Sequence, residues 1–145
     1  MTALKGKEIA AFMKAGAGLG AVLIYGPDGG LARERADLLA RGVVADFKDP
    51  FNYIELADPD VKSNPSRLAD EAAALSFAGG ARVVRFRTNG EAGAAAAGVL
   101  VDGLEAGHLK SNALVLVEAG DLAKSSGLRK LFEKAKKAVA LPCYA

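Results

Sequence analysis

Gly26, Gly29 and Gly30 come closest, by type and spacing, to a reactive site in this chain. They follow the apolar run Ala21-Val22-Leu23-Ile24-Tyr25 and precede a stretch of helical composition from Leu31. A strand that enters a glycine turn and opens a helix offers free backbone N–H groups at the positive helix end, where phosphate binds. The chemistry would be nucleotide binding, with hydrolysis if a cation and a magnesium ligand were supplied. A working loop reads G-x-x-x-x-G-K-[ST]. Counted from Gly26, Leu31 stands at the second glycine, Ala32 at the lysine and Arg33 at the hydroxyl. Arg33 lies inside the helix, where Asp37 at i, i+4 or solvent is its expected partner. A phosphate-loop machine also needs an acid at the end of a neighbouring strand. The natural candidate, 82–87, ends in Arg87-Thr88. Gly26, Gly29 and Gly30 are therefore read as a degenerate loop that keeps a turn and is not expected to bind ATP. No catalytic residue and no cofactor are expected.

Other reactive side chains are sparse. His108 is the only histidine, so neither a triad nor a histidine-rich metal site forms around it, and a helix-end role is expected. Cys143 is the only cysteine, which excludes an internal disulfide and a cysteine-built zinc site. It is expected to behave as a small buried apolar residue. Asp58, Asp60, Asp102, Glu118 and Asp121 show no spacing that marks a catalytic or metal pair. The lysines at 130–137 read as a solvated helix face, and a net charge of +2 is too balanced for a dedicated nucleic-acid binder.

Leu75-Ser76-Phe77-Ala78-Gly79-Gly80 stands apart. Two large apolar residues close a helix, and paired glycines allow a sharp turn. Pointing outward, Leu75 and Phe77 would make an apolar tip suited to a partner's pocket. Composition favours the other outcome, in which both enter the core as the chain approaches the next strand.

The positioning elements can be read from periodicity. Hydrophobic residues make up 51% of 145 residues, enough for one domain with a core. Strands are expected at 21–25, 51–57, 82–87, 113–117 and from about Ala138. Helices are expected over 4–15, 31–45, from Asn64-Pro65 to about Leu75, over 92–106, and after a Ser125 or Ser126 cap. Alternation of this kind predicts an α/β fold, three-layer αβα, with a mostly parallel five-stranded sheet. The arginines alternating through 82–87 suggest one side or end less buried. The alanine- and glycine-rich stretch 91–98 reads as a mobile helix start. The run 138–145 reads as a closing strand without a polar tail, which suggests the N-terminal piece of a longer protein. No apolar run approaches a membrane span, Met1–Ala10 lacks the h-region of a signal peptide, and a cytoplasmic setting is expected.

Three segments together resemble the delta subunit of bacterial DNA polymerase III over essentially the whole chain. They are Leu23-Ile24-Tyr25-Gly26-Pro27-Asp28 with Leu31 and Glu34; Leu75-Ser76-Phe77 leading into Arg82-Val83-Val84; and Val115-Leu116-Val117-Glu118 followed by Lys124-Ser125-Ser126 and Leu128-Arg129. The resemblance implies a P-loop NTPase, AAA+-like fold with a degenerate nucleotide site, spanning 1–145 as an N-terminal domain without its helical and collar domains. It implies a clamp-loader subunit that binds the sliding clamp and helps open the ring without hydrolysing ATP, within a DNA-directed DNA polymerase, a nucleotidyltransferase. The implied partners are the clamp (the beta subunit), the tau/gamma and delta-prime subunits, and DNA indirectly. The implied clamp-binding residues are Leu75, Ser76, Phe77 and Ala78. Ala78 departs from the family, which places a second large apolar residue there. The competing reading is a nucleotide-binding or sensor domain using a non-standard loop.

Overall fold

The computed structural model describes residues 4–144. Five strands, β1 (Ala21–Tyr25), β2 (Tyr53–Ala57), β3 (Arg82–Arg87), β4 (Ala113–Glu118) and β5 (Ala138–Pro142), form one sheet in the order β2-β3-β4-β1-β5. Every pairing is parallel. The helices are α1 (Gly6–Ala15), α2 (Gly29–Arg41), α3 (Asp58–Lys62), α4 (Arg67–Ala73), α5 (Ala94–Ala106) and α6 (Gly127–Lys134), with a 3₁₀ turn at Gly90–Gly93.

Both faces of the sheet are covered, as parallel strands require. On one face Val22, Ile24, Val83, Leu114, Leu116 and Leu141 pack with α2, and Ile9, Phe12 and Met13 of α1 lie against them. On the other, Leu23, Val84, Phe86, Val115 and Val117 pack with α3, α4, α5 and α6. The fold is the expected three-layer αβα arrangement.

Several local expectations need correction. α2 begins at Gly29 rather than Leu31 and ends at Arg41, and the edge strand β2 starts at Tyr53 rather than Phe51. The single helix expected after Asn64-Pro65 is two short ones. Pro59 sits in the first turn of α3, while Asn64 and Pro65 lie between α3 and α4. Asn64 does not cap α4 by its side chain; its carbonyl accepts from Arg67 N–H, and its amide oxygen takes the Ser66 hydroxyl. Strand β3 is buried except at Arg87, so of the expected less-buried side or end it is the end that is open, while Arg82 and Arg85 are buried. The start of 91–98 is tied down, because the Glu91 carboxylate accepts from the backbone N–H groups of Gly127 and Leu128 at the start of α6. Ser126 caps that helix, its hydroxyl accepting from Arg129 N–H. The closing strand ends at Pro142, and Ala145 lies outside the described residues.

Candidate functional site

In an open parallel sheet, ligands bind outside the carboxyl ends of strands whose following helices leave on opposite faces. Here those strands are β1 and β4, which are neighbours: α2 follows β1 onto one face and α6 follows β4 onto the other. Gly26, Gly29 and Gly30 stand at this place. The crevice is laced shut by main chain. Ala119 N–H donates to the Ile24 carbonyl at 2.9 Å, and Gly26 N–H to the Gly120 carbonyl at 3.2 Å. The chain after β5 crosses the same turn, with Cys143 N–H donating to Tyr25 O at 2.7 Å and Asp28 N–H to Cys143 O at 3.2 Å.

Gly26 owes its identity to that crossing. Its φ is +136°, and a Cβ there would drive into the Cys143 backbone. Gly29 and Gly30 are the first two residues of α2 and face no backbone obstacle. The seat an anion would take at this helix start holds a side chain of the protein itself. Asp28 is the N-cap, and its carboxylate accepts from Leu31 N–H at 2.9 Å. A negative group at that end satisfies the helix dipole and repels a phosphate.

The acid at the end of β4 is also committed. Glu118 takes two parallel hydrogen bonds from Arg85, Nε to Oε2 at 2.8 Å and Nη2 to Oε1 at 2.9 Å. Arg85 Nη1 donates to Asp37 at 2.6 Å, and the Phe47 ring lies 5.9 Å from the guanidinium. Arg85 is only 2% exposed. Burial works against its charge, but the hydrogen bonds and charge of Glu118, with Asp37, raise its pKa above the ordinary arginine value. Of the two expected partners of Arg33, Asp37 or solvent, solvent holds: Arg33 is exposed, and Asp37 pairs with Arg85, because a desolvated cation in the sheet competes better for it than an exposed one on the same helix.

The Leu75–Ala78 segment lies elsewhere. It follows α4 and leads into the amino end of β3, whereas the glycine loop follows the carboxyl end of β1. In a parallel sheet those are opposite ends, so the two candidate sites are not brought together. Leu75 is 82% exposed and Phe77 98% exposed, which overturns the composition-based expectation that both enter the core. Leu68, Ala69 and Ala72 are the residues that α4 gives to the core, and the chain past Ala74 turns outward.

The exposed turn is held rather than loose. Ser76 Oγ accepts from Ala78 N–H at 3.1 Å, and Ser76 O accepts from Gly79 N–H at 3.1 Å. Gly79 and Gly80 have φ of +79° and +83°, which side-chain-bearing residues rarely adopt. Asn112 Nδ2 donates to Ala74 O and Gly80 O, bracketing the turn, and Asn52 Nδ2 donates to Gly79 O at 3.2 Å. Buried Arg82, the first residue of β3, reaches Glu71 O at 2.6 Å, Glu71 Oε1 at 3.2 Å and Phe51 O at 3.0 Å. Ala78 is exposed. Sequence reasoning missed Arg82, Asn52, Asn112 and Phe51, whose partners lie up to 38 residues away.

No family model matches the chain, and no curated protein matches it.

The remaining candidates are structural or solvated. His108 is exposed just past the C-cap of α5. Cys143 is fully buried, and burial pushes its thiol up against the opposing pull of the Arg35 guanidinium. Lys130, Lys134, Lys136 and Lys137 are exposed. Among the described residues, no three His, Cys, Asp or Glu side chains group to hold a metal, and no helix is long and apolar enough to cross a membrane. A groove of about 560 Å³ opens at the carboxyl end of β2, lined by Asp58, Val61, Lys62, Ala92 and Ala95, three strands from the glycine loop.

Proposed function

We propose that this chain is the N-terminal, AAA+-like domain of a clamp-loader delta subunit, a cytoplasmic binding module that grips the sliding clamp and does no chemistry of its own. The observation that carries the reading is the pair Leu75 and Phe77, exposed on a turn that hydrogen bonds hold in place. A large apolar side chain kept in water by a rigid turn gains by entering a pocket, and little ordering entropy is then lost. The sequence resemblance supplies the partner. Ser76 shapes the turn, Phe77 enters the clamp, Leu75 supports it, and Ala78 contributes little area. The tau/gamma and delta-prime subunits supply ATP-driven control, and DNA is met through the assembled loader.

The glycine end agrees with this reading. Asp28 occupies the anion seat and Glu118 is bound to Arg85, so the degenerate loop serves as a turn. The test is direct binding of the chain to a bacterial sliding clamp by surface plasmon resonance. Wild type binds, and Phe77→Ala loses binding while its melting temperature stays unchanged. Equal affinity of the two proteins overturns the proposal.

A further inference from the structure

Phe51 lies in the loop before β2, 26 positions ahead of Phe77 in sequence. In space the two rings form an edge-to-face pair, with centroids 6.3 Å apart and planes at 79°. Phe51 is 49% exposed, so the pair is an open cluster at the surface and not the lip of the core. From this we infer that Phe51 is the second aromatic anchor of the Phe77 docking tip, contributed by a different loop, and that it makes up for the small residue at Ala78. The inference rests on the clamp-binding reading of the tip.

Three observations carry it. The first is the ring geometry, which is the favourable aromatic arrangement and aims one ring beside the other. The second is shared anchorage. Arg82 holds the Phe51 carbonyl through Nε and Glu71 of α4 through Nη1 and Nη2, so one buried guanidinium ties the Phe51 loop to the helix from which the Phe77 turn departs. Asn52, next in sequence to Phe51, donates to Gly79 O in the other loop. The loops are therefore one pre-organised surface. The third is the missing volume. Ala78, next to Phe77, is exposed and offers only a methyl group, and Phe51 puts an exposed aromatic ring beside Phe77 instead.

The charge around the cluster selects a protein pocket. Asp46, Lys48 and Asp49 precede Phe51, and the nearby Arg82 cation is neutralised by Glu71. A tip built to enter an anionic membrane carries lysine and arginine on its flanks instead.

The experiment measures the affinity of the chain for a bacterial sliding clamp in wild type, Phe51→Ala, Phe51→Tyr and Phe77→Ala, with melting temperature recorded for each. Anionic phosphatidylserine vesicles serve as a second probe. Arg82 holds the Phe51 backbone and not its ring, so truncating the ring leaves the anchor in place. Phe51→Ala is expected to weaken clamp binding about tenfold, and Phe51→Tyr, which keeps the ring, less than threefold. Loss of binding in Phe77→Ala with less than a threefold change in Phe51→Ala overturns the inference and leaves the clamp reading standing. Wild-type affinity in Phe77→Ala, or no clamp binding by wild type, overturns the clamp reading and the inference with it. Vesicle binding that depends on Phe51, without clamp binding that does, also overturns it.

Discussion

Arg85 and Glu118 meet as a planar fork against a carboxylate, with two parallel hydrogen bonds of 2.8 and 2.9 Å, inside the sheet face that α2 covers. The pair joins adjacent strands at the register position where Arg85 stands beside Leu116, one pleat from Glu118. Asp37 draws α2 onto the same guanidinium. Removing Glu118 leaves the desolvated Arg85 with Asp37 as its remaining carboxylate, so the penalty of an unpaired buried charge is only partly incurred. Glu118→Ala is expected to lower unfolding free energy by up to about 3 kcal/mol, measured by urea titration. Arg85→Met with Glu118→Leu, which removes both charges and keeps the volume, is expected to cost less than the single change.

Gly26 tolerates no side chain. Its φ of +136° is strained for any L-residue, and a Cβ meets Cys143 backbone that cannot rotate away. Gly26→Ala is expected to destabilise by at least ~2 kcal/mol. Gly29→Ala, with open space around it at the helix start, is expected to change stability by less than ~1 kcal/mol. Thermal unfolding of the two variants side by side separates a structural glycine from a merely permitted one.

Nucleotide provides the contrast between the binding-module and sensor readings. A ligand raises the melting temperature only if it binds the native state. Millimolar ATP with Mg²⁺ is expected to leave the transition in place, because the Asp28 carboxylate already takes the helix-start N–H. A rise of several degrees would favour the sensor reading. Asp28→Ala is expected to cost about 1 kcal/mol through loss of the cap.

Acid should loosen the junction between the 3₁₀ turn and α6. Desolvation opposes the Glu91 charge, but hydrogen bonding with Ser126 and the backbone N–H groups of Leu128 and Gly127 together outweighs it and holds the pKa below the ordinary 4.5. A carboxyl depressed on folding contributes stability that is present above its unfolded pKa and lost as pH falls through the folded value. The stability difference between wild type and Glu91→Gln is therefore expected to shrink as pH drops below about 4.5, followed by chemical denaturation at stepped pH. Glu105, whose carboxylate accepts from Lys136 and Lys137 N–H, titrates in the same direction.

The strands were legible because buried parallel strands are nearly continuous apolar runs, and β1, β4 and even the edge strand β5 are such runs. Arg82 and Arg85 were not. Alternating arginine in a strand has the same pattern whether it faces water or a distant carboxylate, and Asp37 and Glu118 lie 48 and 33 positions from Arg85. The division into α3 and α4 was hidden because Pro65 is as good a helix start as Pro59 by composition. At the tip, hydrophobicity favours the interior for Leu75 and Phe77. Only the packing of α4 reveals that Leu68, Ala69 and Ala72 enter the core there while Leu75 and Phe77, after the helix, do not. The Asp28 cap could have been found, since an acid three residues before the first apolar residue of a helix is a common N-terminal signal.

Arg82 is at once the opening residue of β3 and a tie between the last turn of α4 and the Phe51 loop. The turn carrying Phe77 is held from two other sides, by Asn52 at Gly79 O and by Asn112 at Ala74 O and Gly80 O. Those two asparagines stand immediately before β2 and β4. Displacing the tip therefore means breaking side-chain hydrogen bonds rooted at the amino ends of strands, and not merely swinging a loop.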